Sequence, residues 1–500
     1  MKKHQIHLQS PNPLRFEKWQ AVSSTITTTT TSRLSPPFNN TIKPPSILTL
    51  FSSKPHLNPL KISLKISSKN PISDIVSPFN NDDDHDDKPR EKCGVVGIYN
   101  DPEASRLCYL ALHALQHRGQ EGAGIVAATC DGVLNSVTGV GLVSEVFNES
   151  KLNQLPGSHA IGHVRYSTAG QSMLKNVQPF VADYMHGRVG VAHNGNVVNY
   201  EALRGELEEN GSIFGTSSDT EVVLHLIAVS KKRPLILRII EACEKLKGAY
   251  SMVFITEDKL VAVRDPYGFR PLVMGRRSNV AIVFASETRD LDLIEAKYER
   301  EVMPGEVLVV DKKDGVQSYC LSQHPEPKSC IFEHIYFSMP NSIVFGMSVY
   351  ESRRKFGDIL AREAGVDCDV VIAVPDSGLV AALGYAEKAG VPFQQVLEGK
   401  RVVVVDDSIV RGTTALKIVR LMNVEEIREF IGCDSLAFLS FDSLKKMLGG
   451  KSGGFCYACF LGKYPVEPSG KVKKVGDFVD DGLDGSIEFI DGGWLQGSKD

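Results

Sequence analysis

The sequence lacks any long apolar run. No hydrophobic stretch reaches the roughly 18 residues that a membrane-spanning helix requires, so we predict a protein that does not cross a membrane. A strong charge imbalance is also absent, because 56 Lys and Arg face 60 Asp and Glu for a formal net charge of -4. The basic excess typical of nucleic-acid-binding proteins is therefore missing. With 42% hydrophobic and 23% charged residues, the composition predicts a soluble protein of two or three domains.

A disulfide framework is missing as well. Ten cysteines stand at irregular spacings in 500 residues, whereas disulfide frameworks are typical of short secreted domains. We therefore expect a reducing compartment.

The N-terminal segment, residues 1–73, has almost no acid. Glu17 is its one carboxylate among many Ser, Thr and Pro residues and scattered Lys and Arg. Such a segment cannot bury enough apolar surface to fold alone, and its composition is typical of a transit peptide. We predict import into the plastid stroma, with an ordinary disordered tail as the alternative. Residues 74–92 then bring an acidic run, which predicts a solvated linker or propeptide that ends at Cys93.

Cys93 begins an apolar segment, CGVVGIY, that is typical of a β-strand. A cysteine at a mature N-terminus carries its own base, because an α-amino group has a pKa of about 7.7 to 8 and can accept the thiol proton. Cys93 is therefore a candidate nucleophile. The alternative is a small buried strand residue.

Residues 93–323 alternate short strands with a few amphipathic helices, which predicts two stacked, mostly antiparallel sheets covered by helices. Five motifs follow Cys93 in order: HRGQEGAG (117–124), GHVRYSTAG (162–170), AHNGNVVNY (192–200), SSDTE (217–221) and RDPYGFRPL (264–272). Together they resemble the N-terminal-nucleophile glutaminase domain of glutamine amidotransferases, whose fold is an αββα sandwich.

That resemblance implies a role for each polar residue around the nucleophile. Glutamine presents a carboxylate, an ammonium and a reacting amide, so its site needs a cation, an anion and an oxyanion cradle. The family pattern places Arg165 and Thr168 on the carboxylate, Asp219 on the ammonium, and Asn194 with the backbone N–H of Gly195 on the oxyanion. A surface ion pair for Arg165 and a helix N-cap for Asp219 are the alternatives.

The second half changes pattern. Apolar runs such as VVIAV (370–374) and VVVV (402–405) predict a parallel sheet between helices, which is a doubly wound α/β domain. The stretch VVVVDDSIVRGTT (402–414) leads a strand into a Ser, Gly and Thr loop before a helix, where backbone N–H groups favour a phosphate. It resembles the type I phosphoribosyltransferase site.

That second resemblance implies a role for each polar residue of a phosphoribosyl-pyrophosphate site. Its 5-phosphate loop comprises Ser408, Ile409, Val410, Arg411, Gly412, Thr413 and Thr414. Asp406 and Asp407 would bind the ribose and a magnesium ion, and Ser377 would assist at the metal. A solvated pair of acids at a strand end is the alternative.

A glutaminase domain at 93–323 joined to a phosphoribosyltransferase domain at 328–466, with a tail at 467–500, resembles the amidophosphoribosyltransferase family. The implied reaction joins ammonia from glutamine to 5-phosphoribosyl 1-pyrophosphate and opens purine synthesis. Hexosamine-phosphate synthases share the first domain but lack the Asp-Asp phosphate loop. The resemblance also implies a homo-oligomer and feedback inhibition by purine nucleotides, without nucleic-acid or membrane partners.

Three cysteines form a candidate metal centre. Cys456 and Cys459 make a C-x-x-C pair, which by itself is ambiguous among zinc, a redox dithiol and an iron–sulfur cluster. The resemblance implies that they join Cys330 as ligands of a [4Fe-4S] cluster. The fourth ligand of the family falls in a segment that this chain lacks, and Cys433 is not assigned in its place.

Two connections in the second half are short. Only VLEG (396–399) separates VPFQQ (391–395) from KRVVVV (400–405), although a parallel crossover needs about a dozen residues or more. The family that the chain resembles carries a mobile lid at that place, so the resemblance implies that this lid is missing, as is a second segment after RLM (420–422). We therefore predict a phosphoribosyltransferase domain with two internal deletions. The alternative function is a truncated or degenerate paralogue with glutaminase or glutamine-binding activity alone.

Overall fold

A central strand begins directly after Cys93 and organises the first half of the molecule. The computed structural model describes residues 93–129, 131–166, 173–185, 187–374, 376–394, 400–407, 435, 437–449, 454–461 and 463–466. The predicted transit peptide, acidic linker and C-terminal tail lie outside these residues. Within them, no helix combines the length and apolarity that a membrane crossing demands.

Thirteen strands of the described chain form two antiparallel sheets in the first half. They are β1 (Gly94–Tyr99), β2 (Gly122–Ala128), β3 (Leu134–Val140), β4 (His159–Arg165), β5 (Phe180–Tyr184), β6 (Gly187–Val197), β7 (Gly248–Ile255), β8 (Lys259–Arg264), β9 (Val273–Arg277), β10 (Ile282–Ala285), β11 (Ala296–Glu301), β12 (Glu306–Asp311) and β13 (Gly315–Cys320). One sheet has the order β11-β9-β10-β1-β4-β2-β3, and the other has the order β13-β12-β8-β7-β6-β5.

Helices cover the outer face of each sheet. They are α1 (Ala104–Ala114), α2 (Val143–Val146), α3 (Glu149–Leu152), α4 (Tyr200–Glu209), α5 (Glu221–Val229), α6 (Leu235–Lys245) and α7 (Thr288–Leu293), with 3-10 turns at Leu115–Arg118 and Leu174–Asn176. The apolar residues of α1 recur three and four apart, which gives this helix one buried face.

The side chains of β1 alternate between two hydrophobic cores, which explains the layers of helices and sheets. Val96 and Ile98 pack against α1 on the outer face, whereas Val95 and Tyr99 pack between the two sheets. Successive side chains of a strand point to opposite faces, so one strand serves two cores. A third core lies between the second sheet and helices α4 to α6. The predicted αββα sandwich is confirmed.

The second half contains short strands and longer helices. Its elements are β14 (Ser329–Cys330), a π-helical turn (Glu333–Phe337), β15 (Ile343–Val344), β16 (Met347–Ser348), α8 (Val349–Glu363), β17 (Val370–Ala373), α9 (Leu379–Ala389), β18 (Val402–Val405), α10 (Phe441–Leu448), β19 (Phe455–Cys456) and α11 (Ala458–Leu461). Ser348 caps the start of helix α8, because its side chain accepts a hydrogen bond from the backbone N–H of Glu351.

The parallel pairing predicted for the second half is present between β17 and β18. VPFQQ, predicted as a full strand, contributes a single parallel bridge from Phe393 to Val371. Val371 also pairs with Val403, so Phe393 and β18 flank β17 on opposite sides. Residues 394–401 must connect these two sides, which is too short a connection for a helical crossover. The described parallel sheet is correspondingly small.

Candidate functional site

The candidate nucleophile stands at the start of β1, between the two neighbouring strands of its sheet. Cys93 is 7% exposed, and its Sγ lies 3.8 Å from the backbone oxygen of Tyr166 at the end of β4. Because β1 pairs with β4 on one side and β10 on the other, its first residue is held on a rigid element.

A narrow cleft opens beside Cys93 between the two sheets. It is lined by Cys93, His163, Arg165, Tyr166, Gln178, His193, Gly195, Ser218 and Asp219. Four of the residues predicted from the sequence therefore lie in one cleft, although they are up to 126 positions apart in the chain. Thr168 lies outside the described residues.

Two charged side chains, those of Arg165 and Asp219, line the cleft. Arg165 is buried, and its Nη1 donates to the backbone oxygen of Asn176, so the surface ion pair considered for Arg165 is wrong. Asp219 does not cap α5 in the described chain, since Thr220 occupies the N-cap position without a capping side-chain bond. Instead, Asp219 Oδ2 accepts a 2.9 Å hydrogen bond from the backbone N–H of Val197. Both charged side chains therefore line the cleft and are held by hydrogen bonds to the backbone.

Asn194 and Gly195 lie near the end of β6. Gly195 has a φ of +148°, and a Cβ there would fall 2.0 Å from the backbone oxygen of Ala249, so this position requires glycine. Asn194 is fully buried, and neither Nδ2 nor Oδ1 has a hydrogen-bond partner among the described residues. An unpaired buried amide costs about 1–3 kcal/mol, and this cost is understandable where a ligand completes the bond.

The sequence did not assign roles to the residues that link Asp219 to the second sheet. His193 Nδ1 lies 3.0 Å from Thr220 Oγ1, and Thr220 Oγ1 lies 3.2 Å from Asp219 Oδ1. Gln178 donates to the same hydroxyl from Nε2 at 3.0 Å, and its Oε1 accepts from the backbone N–H of His193. Burial lowers the pKa of His193, against the opposing effect of Asp219. The sequence could have indicated these residues, because His193 and Thr220 are neighbours of assigned residues in the AHNG and SSDTE motifs.

The predicted phosphate site lies at the carboxyl end of β18. Asp406 and Asp407 follow this strand, and the backbone N–H of Asp407 donates to Asp406 Oδ1 at 2.8 Å. The turn that carries Ser377 lies close to them, because a Cβ on Gly378 would be 2.7 Å from the backbone oxygen of Val405. The carboxyl ends of parallel strands are where ligands bind in open α/β sheets. The loop from Ser408 to Thr414 lies outside the described residues.

The three assigned cysteines meet where β14 and β19 pair in parallel. Cys330 is opposite Cys456, and Cys459 follows in α11, where its sulfur accepts from the Tyr464 hydroxyl at 3.8 Å. Arg270 Nη1 donates to Cys330 Sγ at 3.8 Å. All three are free thiols, and burial raises the pKa of Cys330 to about 12 and that of Cys456 to about 11.

These thiols fit a sulfur-ligated metal group in donor type but not in number. Thiolates select zinc, copper(I) and iron–sulfur clusters, and a four-iron cluster takes four of them. Within the described residues, no set of three or more His, Cys, Asp or Glu is arranged to hold a single metal ion. Cys433 lies outside the described residues.

Comparisons with known proteins extend over most of the chain. Residues 163–292 match the family model of the glutamine amidotransferase domain. Amidophosphoribosyltransferase 2, chloroplastic, from Arabidopsis thaliana is 64% identical over 524 residues, covering 90% of this chain and 91% of that protein. Amidophosphoribosyltransferase from Bacillus subtilis (strain 168) is 41% identical over 454 residues, covering 75% of this chain and 94% of the relative.

A solved structure shares the fold at comparable identity. It is glutamine phosphoribosylpyrophosphate (PRPP) amidotransferase from B. subtilis complexed with ADP and GMP, at a TM-score of 0.71 and 40% identity, covering 76% of this chain and 98% of that chain. The 524 positions aligned with the A. thaliana relative contain 90% of this chain, which is about 450 of its 500 residues, so roughly seventy positions face gaps in this chain. The identity and coverage leave no other assignment: this chain belongs to the amidophosphoribosyltransferase family.

Proposed function

We propose that this chain transfers the amide nitrogen of glutamine to 5-phosphoribosyl 1-pyrophosphate, which yields 5-phosphoribosylamine, pyrophosphate and glutamate and opens purine synthesis. The observation that supports this function most is the single cleft in which Cys93, Arg165, Gly195 and Asp219 lie together. These groups supply a nucleophile, a cation, an oxyanion donor and an anion, which are the complements of glutamine.

In the first half reaction, the unprotonated α-amino group of a processed Cys93 accepts the thiol proton. The Sγ atom attacks the side-chain carbonyl carbon of glutamine, and Asn194 Nδ2 with the Gly195 backbone N–H stabilises the oxyanion. The C–N bond breaks, the proton moves from the α-amino group to the departing nitrogen, and ammonia leaves. Water then hydrolyses the γ-glutamyl thioester to glutamate and restores the thiol.

In the second half reaction, ammonia attacks C1 of the phosphoribosyl group and pyrophosphate departs. Asp406 and Asp407, with Ser377 nearby, would hold the ribose hydroxyls and a magnesium ion, which when bound offsets the charge of the pyrophosphate. The position of Asp406 and Asp407 at the end of a parallel strand supports this assignment. The loop from Ser408 to Thr414 would provide backbone N–H groups for the 5-phosphate.

Cys330, Cys456 and Cys459 would supply three thiolates to an iron–sulfur cluster when one is bound. Their contribution would be structural in this proposal, because a bound cluster would add a link between β14, at the start of the second half, and β19 near its end, which already pair in parallel. We also infer a plastid location, since the A. thaliana relatives are named chloroplastic. Purine-nucleotide feedback and a homo-oligomer complete the proposal.

We further propose that the phosphoribosyltransferase domain, residues 328–466, is internally shortened. The gaps in the alignment with the A. thaliana relative and the short connection between Phe393 and β18 support this view. A missing lid would leave the site open to water, so we expect slow pyrophosphate release. Inserting the relative's segment between Gln395 and Lys400 should raise this rate, and an unchanged rate would contradict a deletion at this point.

Separate measurement of glutamate and pyrophosphate tests the two half reactions. Cys93→Ala should abolish glutamate release while ammonium salts still support pyrophosphate release. Asp406→Asn should abolish pyrophosphate release and leave glutamate release unchanged. Asp367→Asn is the matched control, because Asp367 is an exposed carboxylate paired with Arg401. Equal loss of both products in Cys93→Ala and Asp406→Asn would contradict the division of labour.

A further inference from the structure

His163 is a buried residue of the cleft to which the mechanism above gives no role. It lies on β4 opposite Val95 of β1, and its fully buried ring lines the cleft together with Cys93. Cys93 stands two residues before Val95, so it falls on the same face of the sheet. His163 is therefore a diagonal cross-strand neighbour of the nucleophile.

The ring of His163 is held in one tautomer. Its Nε2 lies 3.1 Å from the backbone oxygen of His193, which directly precedes Asn194. A carbonyl oxygen can only accept, so Nε2 carries the hydrogen and Nδ1 is an unprotonated acceptor. This bond also ties the sheet of Cys93 to the strand of the proposed oxyanion residues.

Nδ1 of His163 has no hydrogen-bond partner in the part of the chain that the structure describes. Burial, together with the positive charge of Arg165, lowers the pKa of His163 to about 3. The ring therefore stays neutral and keeps its lone pair on Nδ1. A buried acceptor without a donor is destabilising, and a donor that arrives with the substrate removes that penalty.

Glutamine brings N–H groups at two places. Its α-ammonium is better matched by the carboxylate of Asp219 than by a neutral imidazole. Its side-chain amide must lie at Cys93, because the amide carbon is the atom attacked. The amide nitrogen is thus the donor that reaches the neighbourhood of His163 in every productive complex.

We propose that His163 Nδ1 accepts a hydrogen bond from the side-chain amide nitrogen of bound glutamine and orients this nitrogen as the leaving group. This inference rests on the glutaminase function proposed above and adds a contact to it. The Sγ–C bond forms, the C–N bond breaks and the thiol proton reaches the nitrogen through the α-amino group of Cys93. His163 transfers no proton, and the oxyanion remains with Asn194 and Gly195.

Two variants separate the two ring nitrogens. His163→Gln keeps an N–H donor near the position of Nε2 and removes the acceptor at Nδ1. His163→Asn places an amide oxygen near the position of Nδ1 but is too short to reach the backbone oxygen of His193. Two substrates test the contact to the leaving group. Glutamine and glutamate γ-methyl ester share the attacked carbonyl, but only the leaving group of glutamine carries an N–H donor.

The experiment measures glutamate release by the full chain matured to Cys93. His163→Gln should lower kcat/KM for glutamine by about five- to a hundredfold and change that for the γ-methyl ester by less than about threefold. His163→Asn should lower both together, because the tie to the oxyanion strand is lost. The ester rate of His163→Gln also shows that this variant is folded.

Equal loss with both substrates in His163→Gln would overturn the inference, because it would mean a structural role alone. Unchanged kinetics with both substrates would overturn it as well, and so would His163→Asn behaving as His163→Gln does. A wild-type chain that releases glutamate from neither substrate would instead overturn the proposed function, and the inference with it.

Discussion

At the scale of single residues, the charged side chains that line the cleft have little exposure to water. Arg165 is 6% exposed, and Asp219 is held by a backbone N–H and the Thr220 hydroxyl. Such side chains have lost hydration that a bound ligand can replace. Their substitution should therefore affect glutamine more than it affects the fold.

Arg165→Ala and Asp219→Ala should each raise the KM for glutamine by about ten- to a hundredfold, because a hydrogen bond to a charged group is worth about 1.5–3 kcal/mol. Ammonia-dependent pyrophosphate release should not change. Arg188→Ala is the matched control, since Arg188 forms an exposed ion pair with Asp183 at 3.1 Å. Steady-state kinetics with each nitrogen donor provide the measurement. Unchanged glutamine kinetics in both variants would remove Arg165 and Asp219 from the site.

The buried histidines make the fold sensitive to acid. The pKa of His163 is about 3 when folded, against about 6.5 in an unfolded chain, so the unfolded state binds one more proton between these values. The stability that depends on neutral His163 is complete above about pH 6.5 and is lost as the pH falls toward 3.

His163→Gln should therefore lose less free energy of unfolding than the wild type when the pH is lowered from about 6.5 to about 4.5. Urea unfolding at several pH values measures the difference in slope. His324→Gln, an exposed position, should follow the wild type. Parallel pH profiles for His163→Gln and the wild type would show that folding does not lower the pKa of His163.

At the scale of elements, α8 and α9 pack with their backbones in contact. A Cβ on Gly384 would lie 1.9 Å from the backbone oxygen of Arg354, and a Cβ on Gly357 would lie 1.8 Å from that of Ala381. Glycine at these two positions lets the helices approach closely, which side chains would prevent. This pair supports β17 and hence the strand end that carries Asp406.

Gly384→Ala should destabilise the second half by about 1–3 kcal/mol or more, since the backbone atoms it meets cannot move aside freely. Gly205→Ala in α4 is the matched control. A Cβ at Gly205 meets nothing within 4 Å, so this change should stabilise its helix by about 0.5–1 kcal/mol. Chemical unfolding of both variants gives the comparison. A neutral Gly384→Ala would mean that α8 and α9 are further apart than described.

At the scale of the whole molecule, a buried cluster of charges joins the two halves. Arg118 of the first half donates from Nη2 to Glu333 Oε2 and from Nε to Glu287 Oε1, both at 2.5 Å. Arg270 also contacts Glu333, with Nη1 3.4 Å from Oε1. The neighbouring positive charge of Arg118 lowers the pKa of Glu333 despite its burial. These ionised groups compensate one another where water cannot.

Arg118→Met should cost about 3–5 kcal/mol, because it leaves Glu287 and Glu333 as buried charges without their main partner. We expect it to loosen the junction between the halves, which limited proteolysis after Gln323 would detect. Arg106→Ala is the control, since Arg106 forms exposed ion pairs with Glu103 and Glu149. Identical unfolding of Arg118→Met and the wild type would show that the junction does not depend on this cluster.

Local patterns explain why the sequence predicted so much of the first half. Strand and helix periods follow from the order of apolar residues, so the sandwich and the strand after Cys93 were predictable. The motifs that contain Arg165, Gly195 and Asp219 named residues that the fold brings into one cleft. VPFQQ was predicted as a strand because its composition fits one. In the structure it forms only a single bridge, from Phe393 to Val371, because the connection between Phe393 and β18 is short.

The sequence by itself determined the family and the fold class, because the motifs and the periods of strands and helices depend on residues close together in the chain. Tertiary structure alone decided which distant side chains became partners. Arg118 and Glu333 are 215 positions apart, and the bond from His163 to the backbone of His193 crosses from one sheet to the other. No local pattern encodes such pairs, since the preference of a buried polar group for a partner is satisfied by whichever group the packed fold places within reach.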